Sequence, residues 1–362
     1  MKIGVLGSGQ LGRMLALSAY PLGHEIRFLA SSEEDLSSLL GNTFIQNGNQ
    51  EIIEDFAYNS DVVTYESENT AVSIVKEISH KTIVYPSAKS LYITQHRGRE
   101  KALFDKLNIP CAPYQVVNNL SELKIAVENI GLPAILKTAT DGYDGKGQFL
   151  IQSNSQLDQA WKSMSGIESI LEGFVNFKRE LSLVAVRGVD NSHEYYPLVE
   201  NSHHNGILRL TIAPAQNISP KLQQQAESYM RSLLDEMNHV GVLTIELFET
   251  DNKLVVNEMA PRVHNSGHWA IEGARTSQFE NHIRAITETP LGGTSCTHKY
   301  SAMINIIGEQ GPIDKALTLK NAHLHLYNKT EREGRKLGHI TITANTLDDL
   351  NTSLETLSDF MP

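Results

Sequence analysis

Cysteine is scarce in this 362-residue chain: there are two, Cys111 and Cys296. Nothing in their spacing suits a metal, and two thiols cannot make a disulfide framework, so a reducing compartment is expected. Positive charge is also short, with 31 Lys and Arg against 42 Asp and Glu and a formal net charge of −11. That balance argues against a non-specific binder of nucleic acid or anionic membrane, while leaving room for a local basic pocket. No apolar run approaches the ~20 residues of a membrane span. The opening MKIGVLGSG is a short apolar run broken by glycines, which reads as a strand rather than a secretion signal. Low-complexity segments and internal repeats are absent. What remains is ordinary: 40% hydrophobic and 20% charged residues, with length for two or three domains. The expectation is a soluble cytoplasmic enzyme that binds neither nucleic acid nor membrane.

The most informative stretch runs from Leu243 to Trp269. Val242 to Phe248 and Leu254 to Met259 are rich in Leu, Val and Ile, with turn residues between them, and read as a β-hairpin. Each arm carries one carboxylate in apolar context, Glu246 and Glu258. A three-residue loop, Asp251-Asn252-Lys253, would set the two directly opposite on one face. Opposed like charges destabilise a sheet, whereas two carboxylates with Asn257 beside them suit a divalent cation that also touches phosphate. Solvated glutamates on an exposed face are the competing explanation.

At the N-terminus, Lys2 to Leu6 reads as a buried strand. It is followed by Gly7-Ser8-Gly9-Gln10-Leu11-Gly12, a helix over Arg13 to Tyr20 stopped by Pro21 and Gly23, and a second strand from Ile26 to Ala30. This is a βαβ unit with glycines where a backbone would approach a phosphate at a helix N-terminus. A dinucleotide site would want an acid at the end of the second strand, and here Ser31 and Ser32 follow Ala30. A third strand ends in Glu66-Ser67-Glu68, which would lie on the same side as the glycine loop. Glu68 could equally cap the next helix.

Further on, Arg97 to Leu107 and Ser121 to Ile130 read as helices, and Tyr114 to Val117 as a strand. Ala134 to Lys137 is a strand ending in a lysine that is costly to bury without an anion. The glycine-rich loop Thr138 to Gln148 follows; its N–H groups and Lys146 could fold over polyphosphate, although it is not a Walker A sequence. Ser169 to Val175 is a strand with Glu172 near its end, and Glu180 opens another. His203 and His204 stand after a strand at Tyr195 to Val199 and, being adjacent, make a poor metal pair.

Arg97, Lys137, GYDGKGQ at 142–148, Glu172, Glu180 and the Glu246…Asn257-Glu258 hairpin together resemble the ATP-grasp fold. GSGQLGRM near the N-terminus, APRVHNSGHW at 260–269 and GRKLGHI at 334–340 narrow the resemblance to the N5-carboxyaminoimidazole ribonucleotide synthetases of purine biosynthesis, over nearly the whole chain. The resemblance implies an α/β protein in three parts: an N-terminal open parallel-sheet, Rossmann-like domain (1–96), a central ATP-grasp α+β domain (97–290) and a small C-terminal β-rich domain (291–362). It implies carboxylation of 5-aminoimidazole ribonucleotide by bicarbonate and ATP through carboxyphosphate, with Mg²⁺ on Glu246 and Glu258, and a homodimer. For ATP it implies Arg97, Lys137, Gly142, Tyr143, Asp144, Gly145, Lys146, Gly147, Gln148, Glu172, Gly173, Phe174, Val175, Glu180, His203, Asn257 and Glu258. For the ribonucleotide it implies Gln10, Leu11, Glu66, Tyr143, Asn265, Lys329, Arg335 and Lys336. Asp144, Lys146, Arg262 and His264 fall to catalysis. Many family members carry Arg where this chain has Lys146, which keeps the charge and loses the bidentate fork.

Three other readings compete. A formate-dependent glycinamide ribonucleotide transformylase would share the glycine loop and the Arg-rich C-terminal turn; Gln10 and the HNSGH segment point away from it. A nicotinamide-dependent oxidoreductase lacks its acid after Ala30. A nucleotide-binding regulator without chemistry would not need both Glu246 and Glu258.

Overall fold

The structure, a computed structural model, describes residues 1–30, 37–46, 48–142, 147–251 and 253–361. Among the described residues three sheets carry the fold. The first holds β1 (Lys2–Leu6), β2 (Glu25–Ala30), β3 (Asn42–Ile45), β4 (Val62–Tyr65) and β5 (Ile83–Val84), all parallel, in the order β3-β2-β1-β4-β5. Strand order reverses between β1 and β4, so a crevice opens beyond their carboxyl ends, where such sheets hold ligands. The glycine loop follows β1, and Glu66 to Glu68 follow β4.

The first helix, Gln10–Ala19, starts three residues earlier than expected. Gly9 is its extended N-cap, and the Glu66 carboxylate accepts hydrogen bonds from the N–H groups of Gly9 (2.5 Å) and Gly12 (2.6 Å). A side chain from the neighbouring strand thus supplies the cap that no local residue offers.

The second sheet, in the order β6-β9-β7-β8, is antiparallel: β6 (Tyr114–Val117), β7 (Ala134–Thr138), β8 (Gln148–Ile151) and β9 (Ser169–Gly173). The helices Leu120–Ile130 and Leu157–Ser163 cover it through Leu123, Val127, Leu157 and Ala160. The third sheet runs β15-β14-β10-β12-β13-β16-β18-β17, with β11 also on β10. Its members are β10 (Arg179–Arg187), β11 (His193–Tyr195), β12 (Val199–His204), β13 (Ile207–Ala213), β14 (Gly241–Glu249), β15 (Leu254–Ala260), β16 (Tyr300–Ile307), β17 (Ala322–Leu326) and β18 (Lys336–Ala344). His203 and His204 therefore lie inside β12, not after it. The β-rich C-terminal segment exists as expected, but its strands extend the central sheet, Leu210 of β13 facing Ile304 of β16.

Alternation sorts the apolar residues of β10 and β14 to two cores. Leu181, Leu183, Leu243 and Ile245 pack under the helix Pro220–Met237. Val184, Val186 and Val242 join Phe279 and Ile283 of the helix Gln278–Ile286, and also Met14 and Leu15 of the first helix. His282 ties the layers together: one ring nitrogen, Nε2, meets Thr64 Oγ1 at 2.8 Å, and Nδ1 accepts from the Val242 N–H at 3.1 Å. No helix among the described residues is long and apolar enough to cross a membrane.

Candidate active site

The crevice beyond β1 and β4, the β14–β15 hairpin, β7 and the turn before β18 enclose one cleft of about 1140 Å³. Its lining includes Gln10, Leu11, Glu66, Arg97, Lys137, Gly142, Gly147, Gln148, Glu180, His203, Glu246, Asn257, Glu258, Arg262, His264, Asn265, Lys329, Arg335 and Lys336. Tyr143, Asp144, Gly145 and Lys146 lie outside the described residues. Glu172, Gly173, Phe174 and Val175 do not line it.

The hairpin places Glu246 directly opposite Glu258, by a route the sequence did not disclose. The strands close on Glu249 and Leu254, leaving four residues between them, not three. Near the turn Leu247 therefore faces Val256, and a bulge then inserts Asn257 as an unpaired residue. The bulge makes up the one-residue difference, so the two glutamates still meet. Burial and then the charge of Glu258 raise the pKa of Glu246. Burial also acts upward on Glu258, yet its pKa falls because Arg97 Nη1 donates to it at 2.6 Å. Two carboxylates converging beside cations fit a hard divalent ion shared with phosphate oxygens better than an all-protein cage. Among the described residues no group of three or more His, Cys, Asp or Glu side chains could hold a metal by itself.

Lys137 is buried, as expected, one residue before the end of β7 rather than at it, and an anion meets it there. That anion is Glu172, whose Oε2 accepts from Lys137 Nζ at 3.1 Å and lies 3.3 Å from Lys101 Nζ. The Glu172 carboxylate is thus buried, 3% exposed, and paired with the cleft-lining Lys137 rather than open to a ligand as the sequence suggested. Its pKa stands at about 2: burial works upward, and the two lysines outweigh it.

At the opposite end, Glu66 occupies the amides of Gly9 and Gly12, which corrects the picture of a carboxylate reaching freely for a ligand. Gly7, at φ +104°, has no room for a Cβ beside Glu66, so glycine is required there. The N–H groups of Gln10 and Leu11 are the remaining first-turn donors. Gln10 Oε1 accepts from Lys329 Nζ at 2.5 Å. Burial first, then Arg335, lower the Lys329 pKa to about 8. With Arg332, Arg335 and Lys336 also on the cleft wall, this end gathers cations around a helix N-terminus, a setting for a phosphate.

Between the two ends, Arg262 makes a bidentate ion pair with Glu68, Nη2 to Oε1 at 2.7 Å and Nε to Oε2. Glu68 is therefore not a helix cap. Burial would raise it, but Arg262 holds its pKa at about 2. His264 sits beside this pair. Its Nδ1 accepts from the Ser266 N–H, which leaves the proton on Nε2, 3.4 Å from Glu246. Burial and Arg262 lower its pKa to about 3, so the ring is neutral at physiological pH. The buried Asn265 amide makes no hydrogen bond through either side-chain atom. Glu180 and His203 pair at 3.2 Å across β10 and β12.

Sequence reasoning passed over Glu100 and Lys101. Both are buried and stand three and four residues after Arg97, hence on its helix face; that spacing was the available signal. It also passed over Phe177 and Phe248, whose rings stack at 4.5 Å on the cleft wall and are far apart in sequence.

Three family models match the chain: a ribonucleotide synthetase preATP-grasp domain over residues 1–95, an ATP-grasp domain over 102–279 and a phosphoribosylaminoimidazole carboxylase C-terminal domain over 301–353. Fold and cleft thus define an ATP-grasp ligase. The chain is 45% identical over 343 residues to the N5-carboxyaminoimidazole ribonucleotide synthase of Pseudomonas aeruginosa, covering 94% of each, and 39% identical over 353 residues to that of Bacillus subtilis, covering 96% of this chain and 92% of the relative. It belongs to the N5-carboxyaminoimidazole ribonucleotide synthase family. The crystal structure of the Thermus thermophilus synthetase superimposes with a TM-score of 0.94 at 46% identity, covering 98% of this chain and 97% of that one. That of the Aspergillus clavatus enzyme with ADP and 5-aminoimidazole ribonucleotide gives 0.91 at 31%, covering 99% and 98%.

Proposed function

We propose that this enzyme carboxylates 5-aminoimidazole ribonucleotide with bicarbonate at the expense of ATP, giving N5-carboxyaminoimidazole ribonucleotide, ADP and phosphate. The observation that carries the reading is a single cleft with paired glutamates, Arg97 and Lys137 at one end and the Gln10–Lys329 basic pocket at the other. Bicarbonate is a poor electrophile because hydroxide would have to leave. Transfer of the γ-phosphoryl group to a bicarbonate oxygen gives carboxyphosphate and ADP, and phosphate then departs as the substrate amine bonds to the carboxyl carbon or to CO₂ released from it. The amine proton leaves in that step.

Arg97 and Lys137 would hold the triphosphate, with Gly142, Gly147 and Gln148 flanking a loop whose central residues, Tyr143 to Lys146, would close over it and exclude water. Glu246 and Glu258 would hold Mg²⁺, with Asn257 adjacent; when bound, the ion neutralises phosphate charge as it moves. Glu180 and His203 would take the ATP ribose. Glu172 pairs with the cleft-lining Ile135 across β7 and β9, so the backbone of Glu172 to Val175, at the rim of the cleft, would take the adenine edge. Gln10, Leu11, Lys329, Arg335 and Lys336 would grip the 5′-phosphate of the ribonucleotide, and Asn265 its ribose or base. Glu66 would shape this pocket by bracing the glycine loop. Arg262, held in place by its pairing with Glu68, and His264 would face the bicarbonate-derived carboxyl between the substrates, with Asp144 and Lys146 orienting it. Two free cysteines suit the reducing cytoplasm. The resemblance also supports a homodimer, for which light scattering should return twice the chain mass.

The test is phosphate release with ATP, Mg²⁺, bicarbonate and 5-aminoimidazole ribonucleotide. Release should require both bicarbonate and the ribonucleotide for full rate; independence from either sinks the reading. Formate replacing bicarbonate should not support turnover.

A further inference from the structure

The helix Arg97–Lys106 runs along β15, the edge strand of the large sheet that carries Glu258. Two successive buried residues of that helix reach the strand's backbone. Glu100 Oε1 accepts from the Met259 N–H at 2.6 Å, and Lys101 Nζ donates to the Asn257 carbonyl at 2.8 Å. The Val256 N–H is taken by the Pro110 carbonyl at 2.8 Å. These bonds fall on the outer edge, away from β14.

Their spacing carries information. Along a regular strand the outward backbone groups recur at every second residue. Outward N–H groups at Val256 and Met259 are an odd number apart, so the parity changes between them, at the bulged Asn257. Were the pairing at the turn, Leu247 with Val256, continued without the bulge, Asn257 would face Glu246, the Asn257 carbonyl and the Met259 N–H would turn inward, and Lys101 and Glu100 would lose their partners. With the turn closed on Glu249 and Leu254, the Glu100 and Lys101 contacts therefore fit only the bulged strand, and with that turn only the bulged strand sets Glu258 opposite Glu246. A buried carboxyl group and a buried ammonium are costly elements for a core to retain for packing alone. Lys101 also lies 3.3 Å from Glu172, which holds Lys137. One helix thus connects the hairpin glutamate to the buried lysine on the other sheet.

We propose that Glu100 and Lys101 are positioning residues that select the bulged register of β15 and so fix the Glu246–Glu258 pair in its metal-holding geometry, with Lys101 setting Lys137 in the same frame through Glu172. This rests on the reading of that pair as the metal carboxylates.

Mn²⁺ retention in the presence of ADP, read from the electron paramagnetic resonance signal of free Mn²⁺, tests it alongside calorimetric binding of ADP in EDTA. Glu100→Ala should weaken Mn²⁺ retention by ~10-fold or more, the range for residues that orient metal ligands, and leave metal-free ADP binding nearly unchanged. Glu100→Gln keeps an acceptor for the Met259 N–H and should restore most of the Mn²⁺ affinity. A folded Glu100→Ala protein with unchanged Mn²⁺ affinity, or one that loses metal-free ADP binding to the same extent, overturns the proposal. So does a Glu100→Gln protein as impaired as Glu100→Ala. Should Glu100→Ala fail to fold, Lys101→Met is judged by the same pair of measurements, and failure of both to fold overturns the proposal by making the residues structural supports. Wild-type protein that binds ADP without retaining Mn²⁺ would overturn the metal reading itself and the clamp with it; failure confined to the variants overturns only the clamp.

Discussion

At the scale of single residues, the cleft is a chain of charges each held by a named partner. Glu258→Gln keeps an acceptor for Arg97 and removes one of two opposed carboxylates. Turnover should drop by roughly 100-fold or more, in line with losing a preorganised charge at a reaction centre, while the thermal midpoint stays near wild type. Calorimetry and a phosphate-release assay on the same preparation check both halves. Lys329→Met removes the cation on Gln10. It should raise KM for the ribonucleotide by about tenfold, as for one charge-assisted hydrogen bond, and leave KM for ATP within about twofold. Glu68 offers a pH test. Its folded pKa, about 2, lies below the ordinary carboxylate value of 4.5, because Arg262 outweighs burial. The stability it contributes is present above pH 4.5 and is lost as pH falls toward 2. Denaturant melts between about pH 5 and 3 should show a shallower decline for Glu68→Gln than for wild type.

At the scale of elements, the bulge at Asn257 makes the sharpest prediction. Inserting one alanine after Asn257 moves every later residue of β15 one place along the ladder. A one-residue slip turns side chains to the opposite face. Glu258 then leaves Glu246, the Met259 N–H leaves Glu100, and activity should vanish while circular dichroism still reports a folded β-rich protein. Deleting Asn257 is the gentler change. Leu247 still faces Val256, and Glu258 follows directly, opposite Glu246, so activity should survive in part.

The same stretch shows what can be read from sequence. Alternating Leu, Val and Ile announced both arms, and each carboxylate stood out against them. The bulge did not, because Asn257 and Glu258 look alike in a hairpin with or without an extra residue. Likewise the glycine loop announced a helix start, but its position at Gln10 depends on a cap from Glu66, which is distant in sequence. Lys137 was legible as a buried cation; its partner Glu172 was not, since the two meet only when β7 and β9 pair. The layer joined by the helix Gln278–Ile286 adds a second pH test. Burial lowers His282 to about 3 and His239 to about 4, against an ordinary value of 6.5. The unfolded chain therefore binds more protons below pH 6.5, and stability falls as pH drops from there toward 4, by up to ~1.4 kcal/mol per pH unit for each such histidine. In His239→Gln the slope from urea melts should be smaller by about that amount for one histidine.

For the whole molecule, three-part organisation was visible as three motif-bearing regions, but their fusion was not. The first helix shares a core with β10, β14 and the helix Gln278–Ile286, and such contacts leave no mark on local periodicity. Because the cleft borrows walls from every region, a nucleotide and a ribonucleotide bound together should stabilise the whole in one transition: each at about 100 times its Kd adds about 2.7 kcal/mol, seen as a single upward-shifted melting peak. The continuity of the large sheet has a further effect, on biogenesis. β13 is covered only when β16 arrives, much later in the chain. Until then a growing polypeptide presents an open ladder of backbone donors and acceptors, the template on which strands of neighbouring molecules assemble. A protein ended after Leu291 would keep that ladder permanently, and its fate should be aggregation rather than a smaller nucleotide-binding module.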